Sequence, residues 1–348
     1  MSSREELARR YLVRELKPIK IGEKKISQLL DDMRATGFQG RRLGEFVRVW
    51  EAACEREDTV IFLGLAGSLS TTGQSEIVKW LLRNRFVDVL VSTGANITED
   101  LIEAMGARYY VGEPNFNDEE LFRAGIYRFY DVLVRDRDYF RMEEMLADFM
   151  AGLGRDKVYS SAAFLNQLGS WLNERGVEGI LTEAWRAQVP VFSPALVDSG
   201  MGVAYLYNRY RFGERFRLLI DHFRDYELMI RIKARFSNSA AIFIGGGVPK
   251  DFIQLAAVAV DTLLSGDFYS TRPHKFAAQI TVDAPHWGGL SGATLEEAKS
   301  WGKEGAESMT VQCFCDATIA LPIVAHALYE RVGTRKNHPD LSWVFKEV

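Results

Sequence analysis

Three cysteines, nine prolines and five histidines in 348 residues leave little room for several kinds of chemistry. Cys54, Cys313 and Cys315 match neither a disulfide framework nor a zinc site in number or spacing. Cys313 and Cys315 lie two apart in an apolar run, so on a strand both face one side, and they read as small core residues. His222, His326 and His338 show no partner spacing, and His274 follows Pro273 in an expected loop. No His/Cys/Asp cluster calls for a metal. No apolar run approaches the ~20 residues of a membrane span. Met1 to Arg14 is charged and lacks an apolar signal core, so the expected location is the cytoplasm, without membrane partners. A basic excess is absent too. Lysine and arginine number 43 against 47 acids, a net charge of −4, which argues against nucleic acid as a partner. Repeats, low-complexity tracts and Gly/Ser linkers are also missing.

What remains is an ordinary globular mixture, 47% hydrophobic and 26% charged, able to bury a large core. Short β-rich apolar runs at 59–65, 87–92, 108–111, 189–192, 240–245, 277–282 and 309–315 read as strands buried on both faces. Helical spacing marks 75–84, 141–150, 163–173, 214–234, 251–264, 295–302 and 317–331. This alternation predicts an α/β fold, doubly wound, with a mostly parallel sheet and helices on both faces. Ligands of such folds lie outside the carboxyl ends of the strands. Residues 1–45 read as a helical N-terminal extension and 46–348 as one α/β domain. Within it, 113–160 is expected to be irregular and helical, with Tyr127, Phe129, Tyr130 and Tyr139 as packing groups.

Small residues gather where strands should end. Phe62 to Gly73 carries Gly64, Gly67, Ser68, Thr71 and Gly73 between a strand and a helix. Such a turn lets the backbone approach a phosphate or ribose, although it is not the G-x-G-x-x-G fingerprint and a plain tight turn is the alternative. Ser92-Thr93-Gly94-Ala95-Asn96 ends the next strand, followed by Glu99 and Asp100. Thr98 is a candidate cap for the following helix, and two acids at a helix start suit its dipole. Ile244-Gly245-Gly246-Gly247 ends a third strand. Three such ends suggest one extended ligand along the sheet edge, and a dinucleotide fits that description. Further on, Trp287-Gly288-Gly289-Leu290-Ser291-Gly292 forms a loop, and Thr294 with Glu297 makes a capping box. Lys303 ends the short helix after it, a position where a lysine is usually only a surface group.

The runs Thr36-Gly37-Phe38-Gln39-Gly40, Phe62 to Gly73, Ser92 to Asp100, Pro190 to Asp198, the triple glycine with Lys250, and Ser291-Gly292-Ala293 through Ser300-Trp301-Gly302-Lys303 together resemble the deoxyhypusine synthase family, in its order and spacing, from about residue 33 to 330. The resemblance implies a homotetramer that binds NAD, making 46–348 the NAD-binding catalytic domain. It implies cofactor contacts at Gly67, Ser68, Thr71, Thr93, Gly94, Ala95, Glu99, Asp198, Gly246, Thr281, Asp283, Asp316 and Ala317. Glu99, Glu297 and Trp301 would line a polyamine channel, with Lys303 as the catalytic nucleophile. The implied reaction moves an aminobutyl group from a polyamine to an acceptor amine through a lysine-bound imine. Lys303 must therefore react as the free amine, against a pKa of ~10.4 for lysine in water, and burial against Trp301 and the nicotinamide would favour that state.

The chain departs from the family at the far end of that channel. Two aspartates and a histidine of the family pocket correspond here to Val203, Leu290 and Asp251. A buried ammonium left unpaired costs several kcal/mol, so either Asp251 replaces the lost anchor or, alternatively, His286 and Trp287 reshape the channel for a guanidino-bearing or shorter amine. Three readings follow: a modifier of a hypusine-type translation factor, a small-molecule amine transferase of homospermidine or agmatine type, and an inactive NAD-binding scaffold. Retention of Lys303 weighs against the scaffold.

Overall fold

The computed structural model describes residues 4–154 and 157–346. Six strands form the main sheet: β1 (Thr59–Leu65), β2 (Val89–Ser92), β3 (Val191–Phe192), β4 (Asn238–Ile244), β5 (His274–Thr281) and β6 (Glu304–Phe314). Their spatial order is β6-β5-β4-β1-β2-β3, and every neighbouring pair is parallel. Alternate residues of one strand enter different cores, because successive side chains point to opposite faces. In β1, Ile61, Leu63 and Leu65 join one cluster, whereas Val60 and Phe62 join the other.

Helices close both faces, so a strand that is apolar throughout is the stable solution. On the first face lie α1 (Phe38–Glu55), α2 (Ser75–Arg83), α3 (Gly94–Ala104) and, later in the chain, the helix Ala317–Arg331. On the second lie α4 (His222–Ala234) and α5 (Gly247–Ser265), and the helix Ala317–Arg331 is α6. The order reverses between β1 and β4, and their carboxyl ends diverge into a crevice there.

The expected doubly wound sheet is present, with several local differences. The run at 108–111 yields only Tyr110–Val111, which pairs outside the main sheet. Both residues are exposed, whereas strands of the main sheet are covered on two faces. Instead of an irregular helical stretch, 113–160 holds a hairpin of Ile126–Phe129 and Val132–Arg135, turned at Tyr130 with φ +53°, ahead of the helix Asp136–Ala151. Tyr139 meets Tyr127 edge-on at 5.4 Å and stacks on Phe129, tying helix to hairpin. The helix expected from 214 starts at His222, because Asp221 accepts from the Arg224 amide at 3.1 Å and caps it there. The helix expected at 295–302 is a single 3-10 stretch, Glu297–Trp301, ended by Gly302 at φ +71°. His274 opens β5 rather than sitting in a loop; its ring is fully buried between Ser239 and the Ile253 carbonyl. Burial holds it neutral, pushed down to about 3.

The position expected to separate extension from domain, residue 45, falls inside α1, whose Leu43 and Phe46 share the core. The preceding helix Ile26–Arg34 is fastened to α6, where Glu330 accepts from the Ile26 and Ser27 amides. Near the other end, Arg335 enters the base of the sheet. It donates to Asp88 at 2.7 Å and to the Thr59 carbonyl at 2.7 Å. Among the described residues no helix is long and apolar enough to cross a membrane, and no group of three or more His, Cys, Asp and Glu could hold a metal ion.

Candidate active site

The crevice at the switch point is a cleft of about 350 Å³ over the carboxyl ends of β1, β4, β5 and β6. Gly67 and Ser68 follow β1, Gly246 follows β4, Thr281 ends β5 and Asp283 lies beyond it, and Asp316 and Ala317 begin α6; all line the cleft. Gly67 has φ +91°, a conformation glycine adopts without strain, and the space beside its Cα is open. Gly246 is required by packing, since a Cβ there would lie 2.5 Å from Cα of Ser291. Asp316 caps α6, its Oδ1 accepting from the Thr318 amide at 2.7 Å and hydroxyl at 2.5 Å. These bonds hold its carboxyl below the usual range. Cys315 also lines the cleft, its sulfur 3.4 Å from that of buried Cys313, so the pair does share one side but is not wholly core.

The remaining expected cofactor residues lie around the cleft rather than on its wall. Thr71 is buried, its hydroxyl donating to the Ser68 carbonyl at 2.9 Å. Thr93 caps α3, and its Oγ1 accepts from the Asn96 amide at 3.4 Å. Thr98, considered for that cap, instead donates back to the Gly94 and Ala95 carbonyls inside the helix. Gly94 packs on Ser199, Ala95 is half-buried, and Asp198 stands exposed after β3. The two adjacent acids of α3 separate cleanly. Asp100 accepts from the Ile180 amide at 2.6 Å and so caps the helix Ile180–Arg186. Glu99 points the other way, accepting from the Ser68 hydroxyl at 2.8 Å. Burial pushes its carboxyl up to about 7, against the opposing pull of that bond.

Lys303 belongs to a second cluster, beneath the first turns of α5. Its Nζ donates to Oδ1 of Asp251 at 2.7 Å, and its side chain is only 12% exposed. The Trp301 ring lies 5.8 Å from the ammonium, within cation–π reach. Asp251, expected to anchor substrate, is thus taken by the lysine in this state. Trp301 and Trp287 are both about two-thirds exposed, so neither ring is enclosed within this chain. Glu297 is exposed, with its carboxylate on the Thr294 hydroxyl at 3.1 Å and its amide donating to Thr294 Oγ1 at 3.0 Å. It acts here as the capping residue.

Gln279, which the sequence did not single out, and Lys250, which it marked only as following the triple glycine, lie between cluster and cleft. Gln279, in β5, donates to the Gly245 and Ser291 carbonyls at 2.8 Å each on the cleft side. Its Oε1 accepts from Lys250 Nζ at 2.9 Å, and Lys250 also reaches the Leu290 and Ala293 carbonyls. Burial pushes the Lys250 ammonium down to about 8. A glutamine inside an otherwise apolar strand was the one signal that could have revealed this connection.

The residues of the cleft suit a dinucleotide. Helix starts at Gly247 and Ala317 supply partial positive charge for phosphates, Asp283 and Asp316 supply acceptors for ribose hydroxyls, and the small residues leave room. The chain is also similar to known proteins. The sequence model of the deoxyhypusine synthase family matches residues 28–328. A Methanosarcina mazei protein named "Probable deoxyhypusine synthase 2" is 41% identical over 329 residues, covering 94% of this chain and 93% of the relative. A protein of the same name from Archaeoglobus fulgidus is 41% identical over 304 residues, covering 87% and 97%. The "Deoxyhypusine synthase-like protein" of Chlorobaculum tepidum is 32% identical over 326 residues, covering 92% and 91%. A solved Entamoeba histolytica structure, provisionally assigned to the same synthase, shares the fold with a TM-score of 0.63 at 15% identity, over 92% of this chain and 99% of that one.

Proposed function

The chain belongs to the deoxyhypusine synthase family, and on that footing we propose that it transfers an aminobutyl group from a polyamine to an acceptor amine, with Lys303 as covalent carrier. The observation that carries this reading is the largely buried Lys303–Asp251 pair, beside the buried Lys250 that bonds Gln279 at the edge of the cleft. NAD, held by the cleft residues named above, would take a hydride from the carbon beside the donor's secondary nitrogen and later return it to the product.

The chain's own residues do the rest. A cationic donor competes for Asp251, which frees the Lys303 nitrogen from its counter-ion. Once a proton has left, that nitrogen attacks the activated carbon. The new N–C bond forms as the bond to the small diamine breaks, leaving a butyl imine on Lys303. The acceptor amine then attacks the same carbon, and Lys303 departs as the free amine. Trp301 shields one side of the nitrogen and offers its face to cationic groups. Glu99 holds a substrate ammonium or accepts a proton.

For the acceptor, the loss of acids at Val203 and Leu290 favours a small amine over a protein lysine, because a long ammonium-tipped donor has fewer partners there. The hypusine-type translation factor stays the alternative acceptor. Exposed Trp287, Trp301, Phe268 and Tyr269 support an assembly in which a second copy covers Lys303, in keeping with a homotetramer.

Purified protein given NAD and labelled spermidine, then borohydride, is expected to carry label on Lys303 by peptide mass spectrometry. No adduct with spermidine, homospermidine, putrescine or agmatine would overturn the transferase reading in favour of a scaffold. A new triamine formed without any added partner protein identifies a small-molecule acceptor, whereas label that appears only on an added translation factor identifies the protein. Lasting accumulation of NADH would instead mark a simple dehydrogenase.

Glu99 adds a pH dependence. With its carboxyl near 7, a bound ammonium meets a neutral acid below that pH and an anion above it. Polyamine affinity, measured by calorimetry with NAD present, is expected to rise between pH 6 and 8, by up to about tenfold per unit on the acid side. Glu99→Gln should flatten the profile; an unchanged slope removes Glu99 from the amine site.

A further inference from the structure

Lys303 is not the only ionisable group beneath α5. Glu304, the next residue, is 1% exposed. Its Oε1 accepts from Gln254 Nε2 at 2.9 Å, and its Oε2 is buried with no hydrogen-bond partner among the described residues. Lys250 is equally buried, and all three of its hydrogen-bond acceptors are neutral. Lys250, Asp251 and Gln254 occupy adjoining positions on one side of α5, where spacings of three and four bring side chains together. They meet Gln279, Lys303 and Glu304 from the sheet.

Two buried, opposite charges that satisfy themselves mainly on neutral groups are costly to keep for stability alone. Their shared neighbour is Lys303, whose charge state decides whether it can attack. We propose that Glu304 and Lys250 are positioning residues that set the charge of Lys303 in opposite senses, Glu304 favouring the ammonium and Lys250 the free amine. This rests on the reading of Lys303 as nucleophile.

Around Glu304 the charged groups are Lys250 from α5, Lys299 from the 3-10 segment and Lys303; around Lys250 they are Glu304, Lys303, Glu297 and Asp251. His274, the register partner of Glu304 in β5, is neutral and committed to Ser239 and the Ile253 carbonyl. Burial pushes Glu304 up to about 7 and Lys250 down to about 8, so each changes charge near neutral pH. Neither side chain hydrogen-bonds to Asp251 among the described residues, so the Lys303–Asp251 contact remains while the background field changes.

The test is trace labelling with acetic anhydride from pH 6 to 10, reading acetylation of Lys303 by peptide mass spectrometry. It needs no donor amine, so it stands apart from the borohydride experiment. Glu304→Gln is expected to move the midpoint of Lys303 labelling down by about one pH unit, and Lys250→Met to move it up by a smaller amount, because Lys250 itself loses its charge above about pH 8. Gln254→Leu, which removes the donor that stabilises ionised Glu304, should also move it down and serves if Glu304→Gln does not fold. Midpoints that stay at the wild-type value, or that move the same way in the glutamate and lysine variants, overturn the inference. Opposite shifts in a protein that never forms the trapped adduct would sink the transferase reading and leave this one standing.

Discussion

Lys303→Arg is expected to abolish amine transfer while leaving the fold intact. Arginine keeps the length and charge needed to pair with Asp251, and the Lys303 side chain is not part of either apolar core. Its guanidinium stays protonated in proteins, so no lone pair is available to form the N–C bond. Loss of a covalent nucleophile costs far more than loss of a binding contact, on the order of 10³-fold in turnover or more. The measurement is product triamine or labelled protein per unit time by mass spectrometry, with circular dichroism and thermal melting as controls. The borohydride adduct should vanish together with turnover. A variant that keeps more than about a tenth of wild-type turnover would falsify the assignment of Lys303 as carrier. The electrostatic variants described above would then concern a lysine without a chemical task, which is why this substitution comes first.

Arg335→Met is expected to cost about 3–5 kcal/mol of stability, because it leaves Asp88 buried without its cation. The pair is almost fully enclosed, with side-chain exposures of 1% and 3%. Asp88 keeps only the Ile61 amide, at 2.7 Å, once the guanidinium is gone, and the Thr59 carbonyl loses its donor as well. Burial already pushes Asp88 up to about 6 in the intact protein, with Arg335 as the largest opposing influence. A carboxyl raised above its unfolded value favours folding at low pH, and that contribution is lost as pH rises through the folded value. Without Arg335 the folded value climbs further, so the deficit should be larger at pH 8 than at pH 5. Urea unfolding followed by tryptophan fluorescence at the two pH values measures it. A second change, Asp88→Asn, should recover part of the loss by removing the stranded charge. A deficit below about 1 kcal/mol at pH 8, or one that shrinks as pH rises, contradicts the account.

Both predictions start from residues whose importance is read in different ways. Lys303 was visible from the sequence through the Ser300-Trp301-Gly302-Lys303 run, although its position alone would have suggested a surface lysine. Arg335 carried no sequence signal, because its partners Asp88 and Thr59 are 247 and 276 residues away along the chain. The same limit applies to Lys250, Gln254, Gln279 and Glu304. Lys250 was visible only as part of the family pattern, and none of the four shows its buried role until α5, β5 and β6 are brought together. Glu297 shows the converse: its capping geometry was readable locally from Thr294 three residues before, and that is the role it has here.

The chain's own order of residues determined the layered α/β architecture, since strands that must be covered on both faces announce themselves as unbroken apolar runs and helices as runs of period 3.6. It also determined where the cleft would open, because small residues mark the places where backbone must pass close to a ligand or to another strand. Only the tertiary structure decided which ionisable groups share a buried space: Asp251 on Lys303, Ser68 on Glu99, Lys250 on Gln279. The physical reason is range. Periodicity and capping are settled within a few residues, whereas the charge of a buried group depends on neighbours and dielectric that exist only after the sheet and α5 have closed over them.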